Sequence, residues 1–223
     1  MTYRFGFLVF PNIQQLDLTG PYEVFASARE SEVHLVWKDK NPVRSVTGIS
    51  FTPDVDFEDS PQFDVLCIPG GAGVNALLGD EEVLAFIRGQ AEKARFITSV
   101  CTGSLVLGAA GLLQGKRAAT HWNAMDFLPH FGATPVHERV VKDGNLITAG
   151  GVTSGMDFGL SLLAELISEE EAKIVQLSLE YAPAPPFRSG TPQDASADIL
   201  EKAKGRIARS RQEREQLIAQ ITQ

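Results

Sequence analysis

A chain of 223 residues with 43% hydrophobic side chains is long enough for one large domain, or a domain with an appendage, and for a sizeable core. A formal net charge of −8 argues against a nucleic-acid surface, and no run of about 18 apolar residues is present to span a membrane. Cys67 and Cys101, the 2 cysteines, are too few for a disulfide framework, and the 4 histidines lack partners at ligand spacing, so a reducing cytoplasmic setting and no metal ion are expected.

Met1 to Arg4 lead straight into an apolar run and lack the layout of a signal peptide. That run, Phe5 to Phe10, is nearly continuous and predicts a central parallel strand buried on both faces. Pro11 stops it, a loop follows over 12–18, and Thr19-Gly20-Pro21 opens a helix to about Ala28, with Pro21 suited to the first turn. Val33 to Trp37 predicts a second strand, and residues 42–47 and 49–52, split at Gly48, a small hairpin or bulged ribbon. Phe63 to Ile68 is another buried strand, ended by Pro69-Gly70-Gly71-Ala72-Gly73. Glu81 to Ala94 fits an amphipathic helix with Val83, Leu84, Phe86 and Ile87 on its apolar side.

Ala94 to Val100 is apolar, β-branched and too short for a helix, so it predicts a strand; Leu105 to Leu113 predicts a small-residue helix that Gly115 ends. Cys101 falls where the strand turns into the helix, the position of a nucleophile elbow, and Gly103 lets the helix begin without a Cβ clash. The helix N-terminus favours thiolate over thiol, so a lowered thiol pKa is expected there. A free cysteine is commonly an inert buried side chain. The succession of strand, Cys, x-Gly and helix selects the reactive reading for Cys101, whereas Cys67 lies mid-strand and is expected to be inert.

Arg117 to Trp122 predicts a short extended stretch and Asn123 to Phe131 a short helix. Residues 136–141 and 145–149 predict a hairpin turning at Lys142-Asp143-Gly144. Gly150-Gly151 leads into a helix over 156–167, and Ser168, with Glu171 in capping-box position, restarts one to about Tyr181. Ala182 to Phe187 is a stiff proline-rich linker, and Ala197 to Thr222 a charged helix with a thin apolar stripe. The expected division is therefore an α/β domain over 1–182 and, over 183–223, the linker and a helix packed on the domain or on a partner subunit.

Alternating strands and helices imply a three-layer α/β sandwich of flavodoxin-like type around a mostly parallel central sheet. In such folds ligands sit outside the carboxyl ends of the strands, which gathers Asp17, Gly70-Gly71 and Cys101 into one neighbourhood. Asp17, between Leu16 and Leu18, reads either as a partly buried acid of raised pKa or as a turn or capping aspartate. Paired with Cys101 at a helix N-terminus, it is expected to stay a carboxylic acid beside a thiolate. Glu23 reads as a solvated helix glutamate. The glycine loop reads either as backbone donors for an oxyanion or as a tight turn; it lacks the G-x-G-x-x-G of a dinucleotide site. His121, beside Trp122, is either a base for the cysteine or, the commoner case, a pocket-wall residue. Gly150 and Gly151 form a further pocket edge.

The elbow, Pro69-Gly70-Gly71, Thr120-His121-Trp122 and the stretch from Asp143 to Gly151 together resemble the ThiJ/PfpI superfamily, a class I glutamine amidotransferase-like fold, over about residues 4–180. Within it, Gln14 to Pro21, Ser99 to Ser104 and Tyr181 to Phe187 resemble the isonitrile-hydrating members. The resemblance implies a hydro-lyase that converts an isonitrile, R–N≡C, to an N-substituted formamide through a cysteine thioimidate. It implies no cofactor and a homodimer. It implies Cys101 as nucleophile, Asp17 as acid/base, Thr102 as a hydrogen-bonding neighbour, and the amides of Gly71 and Thr102 at the oxyanion site, with Ala72 beside them. A peptidase of this superfamily carries His after the nucleophile, where Thr102 stands here; glyoxalase-like chemistry and a cysteine redox sensor stay open. A fused regulator needs a DNA-binding domain of roughly 100 residues, and 36 residues follow Phe187.

Overall fold

The computed structural model describes residues 2–222; Met1 and Gln223, the outer ends of the two expected segments, lie outside the described residues. In chain order the strands are β1 (Tyr3–Leu8), β2 (Ser31–Trp37), β3 (Val43–Arg44), β4 (Ser50–Phe51), β5 (Val55–Asp56), β6 (Val65–Ile68), β7 (Phe96–Val100), β8 (Arg117–Ala118), β9 (Thr134–Pro135), β10 (Val140–Asp143) and β11 (Leu146–Ala149). The helices are α1 (Gln15–Ala26), α2 (Val74–Leu77), α3 (Glu81–Ala91), α4 (Gly103–Ala109), α5 (Ser154–Leu166), α6 (Glu169–Ser178) and α7 (Ala197–Ile221), with a 3-10 segment over Trp122–Phe131.

Seven strands form the central sheet in the order β10-β11-β7-β6-β1-β2-β5. All neighbours in it are parallel except the hairpin β10–β11. The central strands are continuous apolar runs because helices cover both faces. Phe5, Phe7 and Leu8 of β1 and all of β6 are buried. On one face α1 packs against α5; Phe25 stacks on Phe5 at 4.2 Å between ring centroids and meets the edge of Phe158 at 5.9 Å. α3 and α4 cover the other face. The strand order reverses between β1 and β6, which opens a crevice beyond their carboxyl ends.

Several boundaries differ from the sequence reading. α1 begins at Gln15, ahead of the expected Thr19, so Pro21 lies inside the helix and Asp17 falls in its first turn. Packing outweighs the proline penalty: a Cβ on Gly155 of α5 would lie 2.7 Å from the Pro21 ring, so the two helices are in close contact there. α4 ends at Ala109 instead of Leu113, and Gly111 follows in the left-handed region. α6 ends at Ser178 instead of Tyr181, with Glu180 at φ 48°. The hairpin strand starts at Val140, not Val136, because the Val136 N–H is taken by the Ala118 carbonyl, extending the β8–β9 ribbon. Of the stretch Arg117 to Trp122, only Arg117–Ala118 forms a strand.

Gly103 is where helix and sheet meet most closely: a Cβ there would lie 1.9 Å from the Ile68 carbonyl oxygen. Gly103→Ala is therefore expected to destabilise by about 3 kcal/mol or more. Gly89→Ala, on α3 with nothing within 4 Å of the added methyl, should stabilise by roughly 0.5–1 kcal/mol. Urea unfolding of both variants checks the contrast.

Candidate active site

Cys101 follows β7 directly, with φ at 56°, a conformation that L side chains adopt at a cost of about 1–3 kcal/mol. Three hydrogen bonds hold it there. Its N–H donates to the Ala149 carbonyl at 2.9 Å, and its carbonyl accepts from the Thr120 hydroxyl at 2.9 Å and the Ser104 hydroxyl at 3.4 Å. The strained turn lifts the side chain out of the sheet at the rim of a cavity of about 420 Å³.

Beneath it lies Asp17, fully buried. The loop after β1 is laced to the glycine loop after β6: Gln14 N–H donates to the Gly70 carbonyl at 2.8 Å and Gly73 N–H to the Asn12 carbonyl at 3.0 Å. That lacing sets the first turn of α1, and so Asp17, against Gly70, whose N–H donates to Asp17 Oδ2 at 2.9 Å. A Cβ on Gly70 would come within 2.6–2.8 Å of Thr102 N, Thr102 Oγ1 and Asp17 Oδ2, so the position admits only glycine. Asp17 Oδ1 is buried without a hydrogen-bond partner among the described residues.

Burial pushes the Asp17 carboxyl up to about 7, against the opposing pull of the Gly70 N–H and the adjoining Cys101 thiol. Burial also raises the Cys101 thiol well above its usual range; the Asp17 charge adds to this, and the Thr102 N–H opposes it. The lowered thiol pKa expected from the helix terminus is thus reversed, because desolvation and a neighbouring carboxylate outweigh one turn of helix. Asp17 and Cys101 adjoin and titrate as one coupled pair, with burial raising both groups.

Thr102 Oγ1 accepts the Gly71 N–H at 3.1 Å and lies 3.5 Å from the Gly71 carbonyl, to which it donates. The Gly71 amide is therefore engaged rather than open to an oxyanion, whereas the Thr102 amide faces the Cys101 sulfur. Gly71 and Ala72 nevertheless line the cavity, as does His121. His121 Nδ1 accepts from the Asn123 N–H at 3.3 Å, and burial, with Arg214 nearby, holds its pKa down to about 4, so the ring is neutral near pH 7. Gly150 and Gly151 lie off the lining; the loop they begin contributes Val152 instead. Cys67 is buried mid-strand in β6, its thiol pushed up to about 12 by burial.

The sequence reading missed the cavity's roof. α7 supplies Arg206, Ile207, Ser210, Arg211 and Arg214 to the lining. The helix is pinned at Ser210, whose carbonyl accepts from Asn75 Nδ2 at 3.0 Å, and at Arg211, which pairs with Asp126 at 2.6 Å and lies over the Phe127 ring. Arg214 is 6% exposed, and its guanidinium has one hydrogen-bond acceptor among the described residues, the Ser210 hydroxyl at 3.4 Å. The thin apolar stripe of α7 does register in the sequence; which of its many arginines turn inward does not. Gln14, Thr120 and Ser104 were also missed, being ordinary polar residues until the elbow is folded.

Residues 4–165 match the DJ-1/PfpI family, and the chain belongs to that family. The chain is 60% identical over 210 residues to the isonitrile hydratase of Pseudomonas putida, across 94% of this chain and 92% of that protein. Among solved structures, a ThiJ/PfpI family protein from Pseudomonas syringae superposes with a TM-score of 0.94 at 40% identity, covering 98% of this chain and 91% of that one. Drosophila melanogaster DJ-1beta superposes at 0.74 with 25% identity, covering 82% of this chain and 100% of its own.

The Asp17 shift predicts a pH signature in stability. A carboxyl held near 7 in the folded protein and near 3.8 when unfolded binds more protons folded, so stability falls as pH rises from about 4 to 7. Asp17→Asn does not titrate and should gain on the wild type across that window, by at most about 4 kcal/mol. Thermal unfolding of both proteins at pH 4.5 and pH 8 measures the difference.

Proposed function

We propose that the protein is an isonitrile hydratase, adding water to an isonitrile to give an N-substituted formamide. The observation that carries this is the adjoining pair of Cys101, at the cavity rim, and Asp17, buried beneath it, joined to the 60% identity with a hydratase of that activity. Cys101 is the nucleophile, Asp17 the proton carrier, and Thr102 the neighbour that ties the glycine loop to the elbow.

The proton inventory suits this reaction. As the Cys101 sulfur bonds to the terminal isonitrile carbon, the Asp17 carboxylate takes the S–H proton. It then passes that proton to the carbon, whose electron pair becomes a C–H bond, giving the thioimidate R–N=CH–S–Cys101. Water adds next: Asp17 takes its proton, the oxygen bonds to carbon, and the nitrogen receives the proton. The C–S bond breaks, the hydroxyl proton leaves through Asp17 to sulfur, and R–NH–CHO departs. Each half uses the same carboxyl group as base and then acid, and its unpartnered Oδ1 is the oxygen free to do so. The neutral His121 serves as wall. No cofactor takes part in this scheme.

The same reading includes a homodimer in the cytoplasm. Leu177, 80% exposed, and Ile174 lie together on α6 as an apolar patch suited to a second copy. Among the described residues no helix is long and apolar enough to cross a membrane.

Purified protein with cyclohexyl isocyanide should yield the formamide by chromatography, and Cys101→Ala should abolish it while circular dichroism stays unchanged; turnover by that variant would remove Cys101 from the chemistry. Thr102→Val, which keeps the amide but loses the Gly71 bridge, should fall about 10- to 100-fold. Asp17→Asn should lose at least about 100-fold. A 24.2 kDa species alone in sedimentation at micromolar concentration would contradict the dimer.

A further inference from the structure

Resting on the hydratase reading, we propose that Arg214, with Arg206 at the cavity mouth, forms an anion subsite, and that the isonitriles this protein takes best carry a carboxylate. The cavity lining holds three arginines and, among the described residues, no Asp or Glu. One of the three is neutralised: Arg211 is held by both oxygens of Asp126, at 3.1 and 2.6 Å. The other two are not. Arg206 is exposed and has no ion pair among the described residues. Arg214 is buried, with the Ser210 hydroxyl as its one hydrogen-bond acceptor among the described residues and its Nε without any there.

A buried guanidinium without a counter-charge is expensive, by several kcal/mol in a protein interior. Its neighbours in the cavity offset that cost only in part: His121 is neutral near pH 7, and the one nearby group that can charge negatively, the Cys101–Asp17 pair, is committed to the chemistry at sulfur. Asp17 itself lies beneath the floor and off the lining. The charge is therefore left for what enters. Arg binds carboxylate through two parallel N–H bonds, which fixes orientation as well as sign. A cavity of about 420 Å³ has room for the isonitrile carbon at Cys101 and an acidic tail directed at α7. Desolvation by the helix lid strengthens that attraction.

The test compares two isonitriles that differ in charge at the same end: isocyanoacetate and its methyl ester. In the wild type, kcat/KM for the acid should exceed that for the ester by at least about 10-fold, the scale of a hydrogen bond to a charged group. Arg214→Gln should bring the ratio to within about 3-fold of unity, and Arg214→Lys, which keeps the charge, should restore part of it. Arg206→Gln should lower the ratio by a smaller factor. Equal or better use of the ester by the wild type overturns the subsite, and that comparison needs no variant to fold. So does a preference for the acid that survives Arg214→Gln, or a loss by that variant that falls equally on acid and ester, which would make Arg214 a counter-ion of Cys101 instead. Turnover of neither compound, nor of cyclohexyl isocyanide, overturns the hydratase reading itself and the subsite with it.

Discussion

The Asp17 carboxyl is fully buried, with one backbone donor and one sulfur neighbour among the described residues. Most of what surrounds the site follows from keeping it there. The donor is the Gly70 N–H, and Gly70 must be glycine because Asp17 and Thr102 crowd it from two sides. Thr102 in turn holds Gly71, and the loop ahead of α1 is tied to the same glycines. Removing a carboxylate from water raises its pKa, so one constraint both shapes the glycine loop and tunes the proton that the chemistry needs.

That tuning differs from the usual way of activating a cysteine. A thiol at a helix N-terminus with a basic neighbour ionises early. Here burial and a nearby carboxylate raise the Cys101 thiol, and burial raises the carboxyl beside it to about 7. An isonitrile carbon must receive both sulfur and a proton, so a site that stores the proton next to the thiol is better matched to it than a free thiolate would be.

The second organising feature is α7. A helix this polar is marginal alone, and it is held by a few specific contacts instead of a broad apolar seam. Asn75 engages the Ser210 carbonyl, Asp126 engages Arg211, and Ile218 is buried. Those contacts place its inward arginines over Cys101 and turn an open crevice into a cavity. The family match ends at residue 165, before α7 begins, whereas the likeness to the Pseudomonas syringae structure covers 98% of this chain.

The sequence by itself determined the sheet, the elbow and the grouping of the three loops. Continuous apolar runs such as Phe5 to Phe10 have few alternatives to a buried strand, and a cysteine between a β-branched strand and x-Gly has a short menu of conformations. Helix starts were less legible: α1 begins ahead of Thr19 because packing of Pro21 on Gly155 outweighs a local proline preference. Only the tertiary structure decided how far Cys101 and Asp17 are desolvated, since desolvation depends on what surrounds a group in space and not on its neighbours along the chain. The same holds for the occupied Gly71 amide and for Arg214. In a helix with charges on nearly every turn, nothing local distinguishes the arginine that faces solvent from the one that faces the site; the difference arises only when α7 lies down on the rest of the fold.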